Sequence, residues 1–224
     1  MEGMTLIDLH THTTISSGCS VLEPEDLIEA ARRRGLDAIC VTDHYFIEGA
    51  NVTQRLGREM EFPVFRGVEA RTNLGDMLVF GYYRDIPEGI SLQDLCWYVH
   101  EVGGLVFAAH PFHTGGGPSL TLAFQERGRD LREDWDRVEV LRELDGVETL
   151  NGQVEADVNA QARALARELG VPGVGGSDAH AAHMVGSAAT RFARSVRSEA
   201  DLLAALKDGS YSPLRLRGRD GGGP

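Results

Sequence analysis

Met4-Thr5-Leu6-Ile7-Asp8-Leu9-His10-Thr11-His12 begins as an apolar run and ends on two histidines. Residues i and i+2 of a strand face the same side, so the two imidazoles can converge on one ion. Alone, His-X-His is weak evidence, but four further segments of the chain end alike. Ala38 to Thr42 precedes Asp43-His44, Val64 to Val68 precedes Glu69, Leu105 to Ala109 precedes His110, and Val171 to Ser177 precedes Asp178-Ala179-His180. Strands that alternate with helices and carry ligand-type side chains at their exit ends describe a barrel or open α/β sheet with its site on the C-terminal face. About seven such strands are lean for an eightfold barrel, for which ~250 residues are usual, so a reduced or distorted barrel is expected.

Outward from that stretch, Leu22-Glu23-Pro24 opens a helix with Leu27, Ile28 and Ala31 inward and Gly35 at its close. Leu36 to Thr42 reads as a buried strand parallel to the first. Glu48 to Met60 reads as a helix although it lacks apolar spacing. Phe62 to Ala70 and Met77 to Tyr83 are two strands whose connection, Arg71 to Asp76, is too short for a crossover; a hairpin brings Glu69 and Asp76 to one end of the sheet. Ser91 caps a helix with the stripe Leu92, Leu95, Cys96, Val99 and Val102, which Gly103-Gly104 ends. Phe112 to Gly117 is a glycine-rich loop, and Ser119 to Leu144 is a charged helical excursion, a candidate cover for the site. Gly146 to Leu150 is a strand, Val158 to Leu169 an amphipathic helix ended by Gly170, and Gly173 to Ser177 returns to the core. Thr190 to Ala193 is the last short strand and Glu199 to Lys207 the last helix; residues 215–224 read as a disordered tail, leaving 1–214 as one domain.

With 42% hydrophobic residues the chain can bury one substantial core. It shows no basic stretch followed by an apolar leader segment, and no apolar run approaches the ~20 residues that span a bilayer. A soluble, cytoplasmic protein is expected. Cys19, Cys40 and Cys96 are widely spaced, which argues against a disulfide framework or zinc knuckle; each reads as a small buried or half-buried residue. A formal charge of -12 repels polyanions at long range, so a basic nucleic-acid-binding surface is not expected.

Imidazole and carboxylate together suit zinc, manganese or iron, and two ions can share a carboxylate. His10, His12, His44, Glu69, His110, Asp178 and His180 are too many ligands for one ion, so a cluster is implied. Its chemistry is to activate water and to stabilise charge on a phosphoryl oxygen. His10-Thr11-His12, Thr42-Asp43-His44, Gly67-Val68-Glu69, Ala109-His110-Pro111 and Gly176-Ser177-Asp178-Ala179-His180, in that order, resemble the PHP (polymerase and histidinol phosphatase) superfamily, most closely its short stand-alone phosphoesterases. The resemblance covers roughly residues 4 to 212. It implies a distorted (β/α)7 barrel and a site of two or three divalent ions that hydrolyses phosphate esters. By that resemblance His10, His12, Glu69 and Asp178 hold one metal, Glu69 bridges to a second that also takes His110, and His44 and His180 hold a third. Glu69, Asp178 and His180 become the catalytic positions. Two departures matter: Ser16-Ser17-Gly18 stands where many relatives have Ser-Asp-Gly, which removes a carboxylate from the third site, and Gly75-Asp76 stands where some have Gly-His, which makes Asp76 a substitute ligand of the second metal.

Around these, Asp43 reads as a residue that orients a neighbouring ligand, His113 as a donor to substrate phosphate, and Asn151, near Glu148 at a strand exit, as a substrate contact. His100 and His183 read as non-functional. The expected partner is a small phosphorylated substrate or nucleotide. Two other readings stay open: a metal-dependent amidohydrolase, whose common dinuclear form needs a strand-end lysine where this chain has only Lys207, and a non-catalytic, metal-stabilised domain that binds a partner.

Overall fold

The opening run folds as β1 (Thr5–Thr11), buried along almost its whole length. In the computed structural model, which describes residues 3–114, 119–126 and 138–216, β1 pairs in parallel with β2 (Ala38–Val41), and β2 with β3 (Val64–Thr72). β4 (Gly75–Phe80) runs antiparallel between β3 and β5 (Leu105–Ala108); β6 (Gly146–Asn151) and β7 (Gly173–Gly176) then continue in parallel with β5. The two ends of this run meet: His12 N donates to Ala179 O at 3.0 Å and Asp178 N to His10 O at 2.8 Å. β8 (Ala188–Phe192) and β9 (Tyr211–Arg215) extend the sheet antiparallel from β1, giving the order β7-β6-β5-β4-β3-β2-β1-β8-β9. Thr190 Oγ1 donates to Gly175 O (2.9 Å) and accepts from Gly175 N (2.8 Å), tying β8 back to β7. The result is the α/β, nearly closed barrel that was expected, with one stave reversed and the antiparallel pair β8–β9 laid over the seam.

Among the described residues nine strands stand where about seven were expected. β9 went unseen because Pro213 lies in its middle, and proline is tolerated only where a strand leaves its N–H unpaired, as at a sheet edge. The last short strand is Ala188–Phe192 rather than Thr190 to Ala193, and Arg215, assigned to the tail, pairs with Ala188. Residues 217–224 lie outside the described residues.

Helices cover the outer face. α1 (Pro24–Arg34) buries Leu27, Ile28 and Ala31 and ends on Gly35. α2 (Glu48–Glu59) turns inward a face of small residues, Gly49, Ala50, Thr53 and Gly57, which is why no apolar stripe marked it. A Cβ on Gly49 would collide with Asp43 Oδ2, so this helix start lies directly against the loop after β2. α3 (Leu92–Glu101) is capped as read, Ser91 Oγ accepting from Asp94 N at 3.0 Å. Its stripe stops at Val99: Val102 falls past the last helical residue and is 56% exposed. The excursion after β5 contains α4 (Leu120–Glu126) and a 3₁₀ turn (Glu139–Glu143), with 127–137 outside the described residues. Leu120, Ala123 and Phe124 are buried against the outer core, and no residue of α4 or the 3₁₀ turn lines the cleft, so the described part of the excursion does not cover the site. Residues 115–118 of the glycine-rich loop also lie outside the described residues. α5 (Ala156–Leu169) packs beside β6, and α6 (Glu199–Asp208) closes one end of the barrel. Among the described residues no helix is long and apolar enough to cross a membrane.

The interior is filled by Ile7, Leu9, Cys40, Phe65, Phe80 and Phe107, with Leu202, Ala205 and Leu206 of α6 beneath them. Each large side chain so buried contributes ~1.5–3 kcal/mol. Two bulges turn polar groups onto the same face above this layer. Asp8 to Thr11 of β1 spans only Ile39 to Val41 of β2, and Glu148 to Leu150 of β6 spans only Val174 to Gly175 of β7. An extra residue reverses the in-out alternation beyond it. After interior Ile7 and Leu9 it is therefore His10 and His12 that face inward, and after Glu148 it is Asn151.

Candidate metal centre

His10 and His12 converge as the i, i+2 spacing requires, their Nε2 atoms 3.0 Å apart. Both rings are fully buried and each is held from behind through Nδ1. His10 Nδ1 donates to Glu148 Oε1 at 3.0 Å. His12 Nδ1 lies 3.1 Å from Ser17 Oγ, which in turn donates to Asp43 Oδ1 at 2.8 Å and accepts from His44 N at 3.1 Å. With its one proton given to Asp43, the Ser17 hydroxyl accepts from His12, so the His12 proton sits on Nδ1 and a bare Nε2 faces the centre. His180 Nδ1 donates to Asp178 O at 3.0 Å, which fixes the orientation of its ring.

Glu69 occupies the middle, 1% exposed. Its Oε1 lies 3.0 Å from His110 Nε2 and 3.5 Å from His10 Nε2; its Oε2 lies 3.0 Å from His44 Nδ1 and 3.3 Å from His12 Nε2. Asp178 Oδ1 is 3.3 Å from His12 and 3.5 Å from His10. The rings of His44 and His180 stack on His12 with centroids 4.7 and 4.4 Å away. Asp76, paired across the hairpin with Arg71, joins Glu69 and His110 from β4. His110 (φ 25°) and Asp178 (φ 54°) hold left-handed backbone, and Tyr45 (φ 62°) does so beside His44; such strain collects at functional sites.

Four triads have ligand atoms lying within 4.8 Å of one another: His10-His12-Glu69, His10-His110-Asp178, Glu69-Asp76-His110 and His12-His44-His180. Two observations show that the residues fit metal. His44 Nδ1 and His110 Nδ1 are buried without a hydrogen bond, although the former lies 3.0 Å from Glu69 Oε2. The charges are also balanced only by borrowed protons. Burial disfavours the charged form of His10, yet Glu148, Asp178 and Glu69 together hold its pKa well above the usual histidine value; the same contest, with Glu69 foremost, takes His110 up to about 9. Burial pushes Glu69 and Asp178 up, but the neighbouring imidazoles, His10 first, hold both below their ordinary range. Asp76 is pushed up to about 7 by burial and then by the Glu69 charge, and His12 down to about 4 by burial. A cation relieves the Glu69–Asp76 repulsion and displaces the imidazole protons.

All eight ligand candidates, His10, His12, His44, Glu69, Asp76, His110, Asp178 and His180, therefore come together. His113 lines the cleft beside His110. Asn151 does not reach the cleft: it is buried, its Nδ2 donating to Glu148 Oε2 (3.0 Å) and Asp178 Oδ2 (3.2 Å) and its Oδ1 accepting from Gln153 N (2.8 Å). Its position corrects the reading of a substrate contact, because every polar atom of the amide is already engaged. Ser17 links Asp43 to His12, and Cys19 is exposed at the cleft rim rather than buried or half-buried. Asp43 orients a ligand as read, through Ser17. Glu148 was passed over as a strand-exit residue; buried and bonded to His10 Nδ1, His110 N and Asn151, it is the hub behind the site. An acidic residue inside the apolar strand Gly146–Asn151 was the signal. Gly176 completes the seam: a Cβ there would collide with His10 and approach Glu148 Oε1.

A family model described as the PHP domain matches residues 8–161, and one described as PHP-associated matches residues 157–211. An uncharacterized protein of Methanocaldococcus jannaschii is 31% identical over 153 residues, 64% of this chain and 80% of its own length. A 5'-3' exoribonuclease of Haemophilus influenzae is 35% identical over 66 residues, 30% of this chain but only 23% of its own length. Among solved structures, PsfC from Pseudomonas syringae superposes with a TM-score of 0.67 at 21% identity, covering 95% of this chain and 92% of that one. A proposed metal-dependent phosphoesterase from Bifidobacterium adolescentis does so with 0.61 at 18%, covering 78% and 87%. With the PHP model spanning most of the sequence and its ordered His, Asp and Glu residues gathered at one end of the barrel, the chain belongs to the PHP domain family, whose members are typically metal-dependent hydrolases.

Proposed function

We propose that the protein is a metal-dependent phosphoesterase acting on a small phosphomonoester, a nucleotide or an oligonucleotide end. The observation that carries this reading is the placement of Glu69, which offers one oxygen to His10 and His110 and the other to His12 and His44. A carboxylate so divided suits a bridge between two cations. In this reading His10, His12, Glu69 and Asp178 hold one ion, Glu69, Asp76 and His110 a second, and His44 and His180, beside His12, a third. Manganese, zinc and iron all match such nitrogen and oxygen donors. A divalent ion bound there supplies Lewis acidity, lowering the pKa of water and offsetting charge on phosphoryl oxygens.

The protein's own share is orientation. Glu148 holds His10 through Nδ1, Asp43 holds His12 through Ser17, and Asn151 pins Asp178 and Glu148 together. Residues behind metal ligands commonly set affinity or activity by 10–100-fold. His113 stands at the cleft, its pKa lowered by burial and by His110, and in neutral form donates one N–H to a phosphate oxygen. The cleft, of about 480 Å³, suits a small ester. The amidohydrolase alternative lacks its bridge: Lys207, the only lysine, donates to Gly103 O on the exposed outer side.

The test is elemental analysis, followed by chelation and reloading with manganese, zinc or iron, with p-nitrophenyl phosphate and a p-nitroanilide as substrates. Metal-restored ester turnover without anilide cleavage is expected. Anilide cleavage alone by the metal-loaded protein would overturn the phosphoesterase reading, and a protein that holds no metal and turns over neither substrate would point to the partner-binding domain.

A further inference from the structure

Among the described residues Arg71 is the only lysine or arginine lining the cleft, whose carboxylates are Glu69, Asp76, Glu88 and Asp178. It follows Glu69 by two positions on β3, in an unbroken register with β4, so the two side chains leave the same face of the strand. Its side chain is 36% exposed. Among the described residues the guanidinium makes one protein hydrogen bond, a long one from Nε to Asp76 Oδ1 at 3.4 Å. Glu88 Oε1 forms an ion pair with Nη1 at 4.0 Å, beyond hydrogen-bond reach, and accepts from Tyr45 OH at 3.1 Å. The two terminal nitrogens thus present N–H groups to the cleft with no protein acceptor, although an acidic side chain stands nearby. In the loaded site proposed above, Asp76 is also shared with a cation, which leaves the charge of Arg71 still less compensated.

We infer that Arg71 is a specificity-determining residue that grips a peripheral oxygen pair of the substrate phosphate and so favours phosphomonoesters over phosphodiesters, an inference that rests on the phosphoesterase reading. A monoester has three peripheral oxygens and, at neutral pH, close to two negative charges; a diester has two oxygens and one charge. A planar guanidinium with two parallel N–H groups matches two oxygens of a phosphate. With one peripheral oxygen held by a cation of the proposed site, a monoester would still offer two to the guanidinium and a diester only one, so the monoester gains more from this wall of the cleft. Lysine in the same place would keep the charge but lose the fork.

Inorganic phosphate binding to the manganese-loaded protein, measured by calorimetry, reads this contact without turnover. Arg71→Ala is expected to weaken phosphate binding by about 10- to 100-fold, with Arg71→Lys between, and metal content unchanged in both. On esters, kcat/KM of Arg71→Ala should fall mainly through KM with p-nitrophenyl phosphate and much less with bis(p-nitrophenyl) phosphate. Unchanged phosphate affinity, equal losses on the two esters, or loss of metal along with phosphate would overturn the assignment, the last by making Arg71 a support for Asp76. Phosphate binding that depends on Arg71 in a protein that cleaves neither ester would instead overturn the phosphoesterase reading and reduce Arg71 to an anion site.

Discussion

At the closed end of the barrel, Leu202, Ala205 and Leu206 of α6 pack with Phe192 and Val196, and Arg66 meets Glu199 through two bonds of 2.7 and 2.8 Å, with Gln54 adding a third. At the open end, four carboxylates and five imidazoles crowd together, two ring nitrogens lack partners, and His110 and Asp178 hold unusual backbone. The same strands supply both ends, so the contrast does not come from the fold type. It comes from what each end is built for: one is satisfied within the chain, while the other gathers clusters able to bind metal. Stability and chemistry are thereby placed on separate sets of residues, and substitutions should act on one without the other.

The comparison breaks most sharply at Glu69. Glu69→Gln is expected to abolish turnover and lower metal content while circular dichroism still reports the native fold, since an amide cannot carry charge between two cations. Wild-type-like hydrolysis by this variant would remove the bridge. Behind the site, Glu148→Gln should weaken metal binding about 10- to 100-fold by loosening His10, and a metal titration that matches wild type would reduce Glu148 to a buried strut. At the opposite end, Leu202→Ala should cost about 2–5 kcal/mol in denaturant unfolding, with kcat and metal content unchanged at a temperature where it is folded; a loss of metal would show the ends to be coupled.

The smallest effect sharpens the same contrast through pH. The pKa of Glu199 lies below its ordinary value because bonds from Arg66 and Gln54 outweigh burial. A carboxylate depressed on folding stabilises the native state above its unfolded pKa, and that contribution is lost as pH falls through the folded value. Glu199→Gln should therefore melt below wild type at neutral pH and converge with it in acid. Parallel melting curves at all pH values would show that the pair contributes nothing, as partly exposed pairs sometimes do.

Much of this was legible in the chain. The apolar runs ending on His, Asp or Glu located seven of the eight candidate ligands, all but Asp76, because a strand's length and its exit point are local properties. The caps at Ser91 and Gly35 were equally local. Val102, the α2 face and β9 were not, since each depends on a partner: the end of one helix turn, a loop pressed against Gly49, and an edge strand that accepts Pro213.

The sequence by itself determined which residues could bind metal and at which end of the barrel they stand, because strand alternation and the order of motifs are written along the chain. Only the tertiary structure decided their roles. Ser17, which looked like a lost ligand, became the link that sets the His12 tautomer, and Asn151, which looked open to substrate, was enclosed between Asp178 and Glu148. Arg71 emerged beside the site with unspent donors. The Ser17 and Asn151 outcomes rest on contacts between residues more than twenty positions apart beside two bulged strands, and that of Arg71 on the hairpin that sets it opposite Asp76. Hydrogen-bond direction is fixed by three-dimensional approach, and a linear spacing does not contain it.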